Sequence, residues 1–177
     1  MRDQSRDSQA GPIGKDGLAD FKYRVLVFGI KDFNDASLFD QCMQKFLKDN
    51  NVTRAEDKQQ IVFVTGKSGR GVDLLLCNWV KANHYHWAEF LPKWDEVDVE
   101  GSSVKYRDGK PYNSRAGFWR DEEMVEVCTH GVSFYDGVSS DTRDMIDRIA
   151  DLGSPCSMYL VTVDKDEDEH AEEQGRG

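Results

Sequence analysis

The chain predicts an α/β fold, a Rossmann-like three-layer sandwich with a mainly parallel sheet of about five strands in a single domain. Three observations lead there. Short, nearly continuous apolar runs occur at residues 23–29, 60–66, 85–91, 132–135 and 156–163, and such runs fit strands buried on both faces. Helix-periodic segments at 35–50, 72–83, 116–129 and 141–152 separate the successive runs. Small or polar residues follow the runs that end at Gly29, Gly66 and Tyr135. Right-handed crossovers would gather those three loops along one sheet edge, where ligands of such sheets bind.

Each element has its own local reason. Residues 1–20 are rich in Asp, Ser, Gln, Gly and Arg and lack a period, so disorder is expected before a domain over 21–163. Tyr23-Arg24-Val25-Leu26-Val27-Phe28-Gly29 is the first strand. Leu38, Phe39, Cys42, Met43, Phe46 and Leu47 then recur at helical spacing, and Asn50-Asn51 ends that helix. Gln60 to Gly66 is the second strand, and the Gly-rich turn Lys67-Ser68-Gly69-Arg70-Gly71 feeds a helix whose apolar side is Val72, Leu75, Leu76, Trp79 and Val80. The third strand spans 85–91. Residues 92–114 carry Gly101, Gly109 and Pro111 without a clear period, and connections that long are functional or mobile. Phe118, Met124, Val125, Val127 and Cys128 mark the buried side of the next helix. After the fourth strand, a helix over 141–152 stops at Gly153, and Pro155 precedes the last strand.

Residues 164–177 hold seven acids and two bases, a solvated and disordered tail that accounts for half of the net charge of −10. The body is only mildly acidic. A broad nucleic-acid footprint needs a basic face, so the chain carries no strong nucleic-acid signal. Cys42, Cys77, Cys128 and Cys156 form no Cys-x-x-Cys pair, which fits reduced thiols in a cytoplasmic protein. No signal peptide and no stretch of about 18 apolar residues is visible, so no membrane association is expected.

The most informative stretch is Phe134-Tyr135-Asp136-Gly137-Val138-Ser139-Ser140-Asp141-Thr142. A strand breaks into small residues and a helix begins, with Ser140 or Asp141 as its cap. Free amides and the positive helix end attract phosphate or carboxylate there. Thr65-Gly66-Lys67-Ser68-Gly69-Arg70-Gly71-Val72-Asp73 resembles a phosphate loop but lacks P-loop spacing, and Leu74 stands where a dinucleotide fingerprint needs its third Gly. Its glycines permit close backbone approach, and Arg70 can fork onto phosphate oxygens. In Ala116-Gly117-Phe118-Trp119-Arg120-Asp121-Glu122-Glu123, a cation early in a helix opposes the dipole unless it has a partner, so Arg120 faces an anionic ligand or forms a surface ion pair. His84 and His86 alternate as on a strand but lack further ligands at metal spacing, so no metal site is expected. Asp95, Glu96, Asp98 and Glu100 read as a solvated loop. Trp79, Trp87, Trp94 and Trp119 default to the core, with Trp94 placed to stack on a base. Neither a Gly-x-Ser-x-Gly elbow nor His-Glu-x-x-His occurs.

These residues together resemble a known group. Arg24-Val25-Leu26-Val27-x-Gly29 with Asp32, then Arg70-Gly71-Val72-Asp73, then Ala116-Gly117 with Arg120 and Met124, then Phe134-Tyr135-Asp136-Gly137-x-Ser139-x-x-Thr142 occur in the order of the SLOG superfamily of Rossmann-like proteins. The nearest branch is the small prokaryotic and phage YspA-like proteins of unknown function, and the resemblance covers residues 23–163. It implies a nucleotide or nucleotide-derived ligand at the strand ends, pairing of two copies through helices, and, for a phage protein, the host cytoplasm. Relatives include the LOG phosphoribohydrolases, whose loop carries a Glu three residues after its Thr. Met145 holds that position here, and Met cannot act as a general acid or base. Asp121 and Asp141 also depart from the branch, which has Asn and Gly there.

Three functional readings follow. In the first, the chain binds or senses a nucleotide or nucleotide-derived signal. Gly29, Asp32, Gly66, Ser68, Gly69, Arg70, Gly71, Asp73, Gly117, Arg120, Asp136, Gly137, Ser139, Ser140 and Thr142 then form the site. Loop amides hold phosphate, Arg70 and Arg120 neutralise it, and Asp32, Asp73 or Asp136 accepts ribose hydroxyls. In the second, it hydrolyses an N-glycosidic or phosphate bond of a nucleotide, with Asp136, Asp121 or Glu123 as acid or base and Arg120 as electrophile. In the third, the acidic tail binds a partner. No cofactor is expected beyond a nucleotide-like ligand.

Overall fold

The computed structural model describes residues 11–151 and 157–163. Seven strands occur there: β1 (Tyr23–Gly29), β2 (Ile61–Thr65), β3 (His86–Glu89), β4 (Val104–Arg107), β5 (Lys110–Asn113), β6 (His130–Tyr135) and β7 (Ser157–Thr162). Four α-helices accompany them: α1 (Ala36–Asp49), α2 (Gly71–Ala82), α3 (Ala116–Val127) and α4 (Ser140–Asp151). Five strands pair, all parallel, in the order β3-β2-β1-β6-β7, and β4 and β5 form a separate antiparallel hairpin. The expected Rossmann-like α/β sandwich is the architecture observed.

Strand alternation decides what each helix covers. Val25 and Val27 of β1, with Phe63 of β2 and Phe134 of β6, pack against Phe39, Met43 and Phe46 of α1 and Val72, Leu76 and Trp79 of α2. Leu26 and Phe28 point the other way, onto Met124 and Val125 of α3 and Met145 and Ile149 of α4. Because β1 is central, its residues from Val25 to Phe28 are buried on both faces, each contributing about 1.5–3 kcal/mol of apolar burial. The in-register pairs Val25–Phe63, Val27–Val132 and Gly29–Phe134 align the C-terminal strand ends.

Two segments differ from the sequence reading. Residues 11–20, expected to be disordered, belong to the fold. Ile13 N donates to Trp87 O at 2.7 Å, Trp87 N donates to Gly11 O at 3.2 Å, and Leu18 in the 3-10 turn Lys15–Asp20 is buried. This segment covers the free edge of β3, a common way to protect an unpaired strand. Residues 92–114, expected as an irregular connection, contain the β4–β5 hairpin. Its turn is at Asp108-Gly109, where both residues have positive φ. Residues 1–10, Gly153, Pro155, Cys156 and the 164–177 tail lie outside the described residues. No helix among the described residues is long and apolar enough to cross a membrane.

Candidate functional site

From β1 the chain moves outward through β2 to β3, then returns by α3 to place β6 on the other side of β1. The connections leaving β1 and β6 therefore run in opposite directions, which opens a crevice between their C-terminal ends. A cleft of about 590 Å³ lies there. Its walls come from the end of β1 and the following turn, the loop after β2, and the first turns of α2, α3 and α4.

Small residues make this convergence possible. An added Cβ on Gly29 would lie 2.5 Å from Phe134 O and 2.7 Å from Val72 Cγ2. On Gly71, which has φ +59°, it would lie 2.5 Å from Ile30 O. Gly71 thus works beside the cleft, bringing the start of α2 against the β1 turn. At Gly66 the neighbour is the Arg120 guanidinium, 2.9 Å from the same virtual Cβ.

The helix ends supply donors. The first intrahelical bonds run from Leu74 N to Arg70 O in α2, Trp119 N to Arg115 O in α3, and Arg143 N to Ser139 O in α4. The earlier amides of each helix have no intrahelical acceptor. Neither Arg70 nor Arg115 caps its helix with a side chain. By contrast α1, whose start is not in the cleft, is capped by Asp35, which accepts from Leu38 N at 2.9 Å. At α4 the capping position falls to Ser139, one residue before Ser140 and two before Asp141, the two caps expected. Its hydroxyl donates to Asp136 Oδ2 at 2.8 Å.

Four cations line the cleft, and each meets a carboxylate. Arg70 Nη2 lies 3.2 Å from Asp32 Oδ1, and Lys31 Nζ 3.3 Å from Asp141 Oδ2. Both pairs are more than half exposed, so each contributes about 0–1 kcal/mol and opens readily. Arg148 lies 3.6 Å from Glu122 and 3.5 Å above the Phe118 ring. Arg120 is the most enclosed, with its side chain 18% exposed. Its Nε donates to Asp121 Oδ1 at 2.7 Å, and its Nη1 donates to Gly66 O at 3.0 Å and Phe90 O at 3.4 Å. Arg120 therefore ties α3 to the ends of β2 and β3 while facing the cleft. Burial pushes the Asp121 carboxyl above its ordinary value, although Arg120 pulls the other way.

Of the residues expected at the site, Gly29, Asp32, Gly66, Ser68, Arg70, Asp73, Gly117, Arg120, Asp121, Ser139, Ser140 and Thr142 line this cleft. Gly69, Gly71, Glu123, Asp136 and Gly137 do not. Glu123 pairs with Lys15 on the other side of α3. Asp136 holds its own loop, accepting from Val138 N at 2.9 Å and Ser139 N at 2.8 Å. Asp73 does similar work, accepting from Ser68 N at 2.9 Å. Sequence reading missed Lys31, Asp144 and Arg148 as lining residues, and placed Phe118 in the core, whereas it is exposed under Arg148. Arg148 had one legible signal: a cation three residues after Met145 on the face that α4 turns to the sheet. Cys42 and Cys77 are half-buried free thiols, and Cys128 is buried, with its Sγ donating to Val125 O at 3.2 Å. Among the described residues no cluster of three or more His, Cys, Asp or Glu is placed to hold a metal ion.

Fold and cleft together define an α/β protein with a Rossmann-like parallel sheet and a pocket at its switch point. Comparison of the chain with protein-family models, curated proteins and solved structures gives no match.

Proposed function

We propose that this protein binds or senses a nucleotide or nucleotide-derived ligand in the cleft between the ends of β1 and β6. The observation that carries the reading is the meeting of three helix starts, two of them without side-chain caps, at one switch-point crevice. Their amides serve phosphate oxygens. The exposed pairs Arg70–Asp32 and Lys31–Asp141 open to offer their cations to phosphate oxygens, which accept charge-assisted hydrogen bonds as carboxylates do. Leu26, Phe28, Met124 and Met145 give the inner wall an apolar character suited to a base. The SLOG resemblance supports the same reading, because each of its four motifs contributes lining residues. With that resemblance go a prokaryotic or phage origin, a cytoplasmic location and a paired state. Calorimetry of the full chain against mononucleotides, nucleotide sugars and cyclic nucleotides tests the proposal. Saturable binding that weakens at least tenfold in Arg120→Met is expected, and a folded protein that binds none of them refutes it.

A hydrolytic reading is favoured by one observation, the burial-raised carboxyl of Asp121 beside Arg120 in the cleft. A carboxyl held protonated longer than usual suits a general acid, with the guanidinium stabilising developing charge. Met145 lines the cleft at the position of the LOG glutamate and cannot move a proton, so Asp121 would carry the chemistry. Release of free base or phosphate that is lost in Asp121→Asn supports this reading, and release that persists in that variant removes it.

A further inference from the structure

The cations of the cleft contrast with those of the β4–β5 hairpin. Those of the cleft are paired, but Lys105, Arg107 and Lys110 on the β4–β5 hairpin meet no carboxylate among the described residues. Residues 104–115 hold four cations and a single acid, Asp108, within a chain of net charge −10. Averaging over the whole sequence hides this basic patch.

The register shows how the patch is arranged. Lys105 pairs with Tyr112, and Arg107 with Lys110, so strand alternation puts these four side chains on one face of the ribbon. The Arg107 guanidinium lies 5.4 Å from the centre of the Tyr112 ring. Trp94 meets Tyr112 edge-on at 6.4 Å and is 47% exposed. Asn113 fixes the base of the hairpin. It is fully buried, its Oδ1 accepts from Ser103 N and Arg115 N at 3.1 Å, and its backbone N donates to Trp94 O at 2.7 Å. The aromatic and cationic groups therefore stand on one anchored element.

Unpaired cations interleaved with an accessible indole and a tyrosine are what a single-stranded polynucleotide requires: charge at phosphate spacing and flat rings for unstacked bases. Two four-residue strands span about 13 Å, room for two or three nucleotides. We infer that the β4–β5 hairpin, with Trp94, is a contact surface for single-stranded nucleic acid. Asp95, Glu96, Asp98 and Glu100 precede the hairpin on the same connection, so the cationic surface is confined to the ribbon face that carries Lys105, Arg107 and Lys110. The inference does not depend on the cleft's ligand, and the two surfaces meet where the Trp94 ring packs against Gly117 of the cleft wall.

Fluorescence anisotropy of a fluorescein-labelled twenty-nucleotide oligothymidylate, titrated with the full chain, tests it. Three phosphate contacts predict a loss of affinity of about twentyfold between 50 and 200 mM salt. The triple variant Lys105→Ser, Arg107→Ser, Lys110→Ser should bind at least tenfold more weakly and lose most of that salt dependence. Trp94→Leu should weaken binding several-fold with the salt dependence intact, since it removes stacking and not charge. The assignment is overturned if the triple variant, shown folded by circular dichroism, binds as well as the parent. It is overturned equally if a duplex binds more tightly than the single strand, or if polyglutamate of the same length competes as effectively as unlabelled oligonucleotide.

Discussion

Gly29→Ala probes the geometry that creates the cleft. A methyl group there would sit 2.5 Å from Phe134 O, 2.8 Å from Phe134 Cβ and 2.7 Å from Val72 Cγ2. Phe134 cannot easily retreat, because it is paired in register with Gly29 and its carbonyl accepts from Ile30 N at 3.1 Å. Overpacking of this kind costs about 1–3 kcal/mol, and stretching the Ile30 bond costs up to about 1 kcal/mol more. Against that, replacing glycine stiffens the unfolded chain and returns about 0.4–1 kcal/mol. A net loss of about 2 kcal/mol follows, a fall in Tm of about 4–8 °C for a chain of this size. Two controls separate the causes. Gly69→Ala has open space but φ +80°, so only left-handed backbone strain of about 1–2 kcal/mol applies. Gly14→Ala has open space and ordinary φ, and should be neutral. Urea unfolding of all three variants, with Cm and m fitted together, gives the values. A Gly29→Ala protein as stable as Gly14→Ala would refute the close approach of β1 and β6 at the switch point.

Four further outcomes are expected. Leu18→Ala should lose about 2–4 kcal/mol in the same urea assay, since Leu18 is buried against the second core; no loss would detach residues 11–20 from the fold. Arg120→Lys keeps the charge but cannot reach Asp121, Gly66 O and Phe90 O together, so stability should drop by about 1–3 kcal/mol and nucleotide affinity at least tenfold. Burial lowers the pKa of His86 and His130 below 6.5, so the fold holds them neutral; the stability this adds is present above pH 6.5 and is lost as pH falls through their lowered values. The urea midpoint should therefore decline from pH 7 toward pH 5, and a His130→Gln variant should decline less. Asp121 has the opposite sign: its raised pKa favours folding at low pH, and that contribution fades as pH rises through it, so Asp121→Asn should be at least as stable as the parent at pH 7 by thermal melting.

The sheet was legible because the central residues of β1, β2 and β6 are buried on both faces and so are written as nearly continuous apolar runs. The cleft residues followed from the same pattern, since loops after parallel strands share an edge. The hairpin was not legible. All four residues of β4 are exposed, so Val104-Lys105-Tyr106-Arg107 shows no contrast between faces for a pattern to detect. Leu18 and Ile13 are the only large apolar residues of residues 11–20, too few for a periodic signal. The pairing of the cleft cations was also out of reach, because Arg70 meets Asp32 across 38 positions and Arg120 takes its immediate neighbour. Asp136 illustrates a related limit. A carboxylate after a strand reads as a ligand acceptor, but here it accepts amides of its own loop.

The most direct measurement is amide chemical-shift mapping of the full chain as a nucleotide that binds by calorimetry is added. The account predicts that the largest shifts fall on Gly71 to Asp73, Gly117, Phe118 and Ser140 to Thr142, where the three helices begin at the β1–β6 crevice. Shifts confined to other surfaces, with these amides unmoved at saturation, would contradict it.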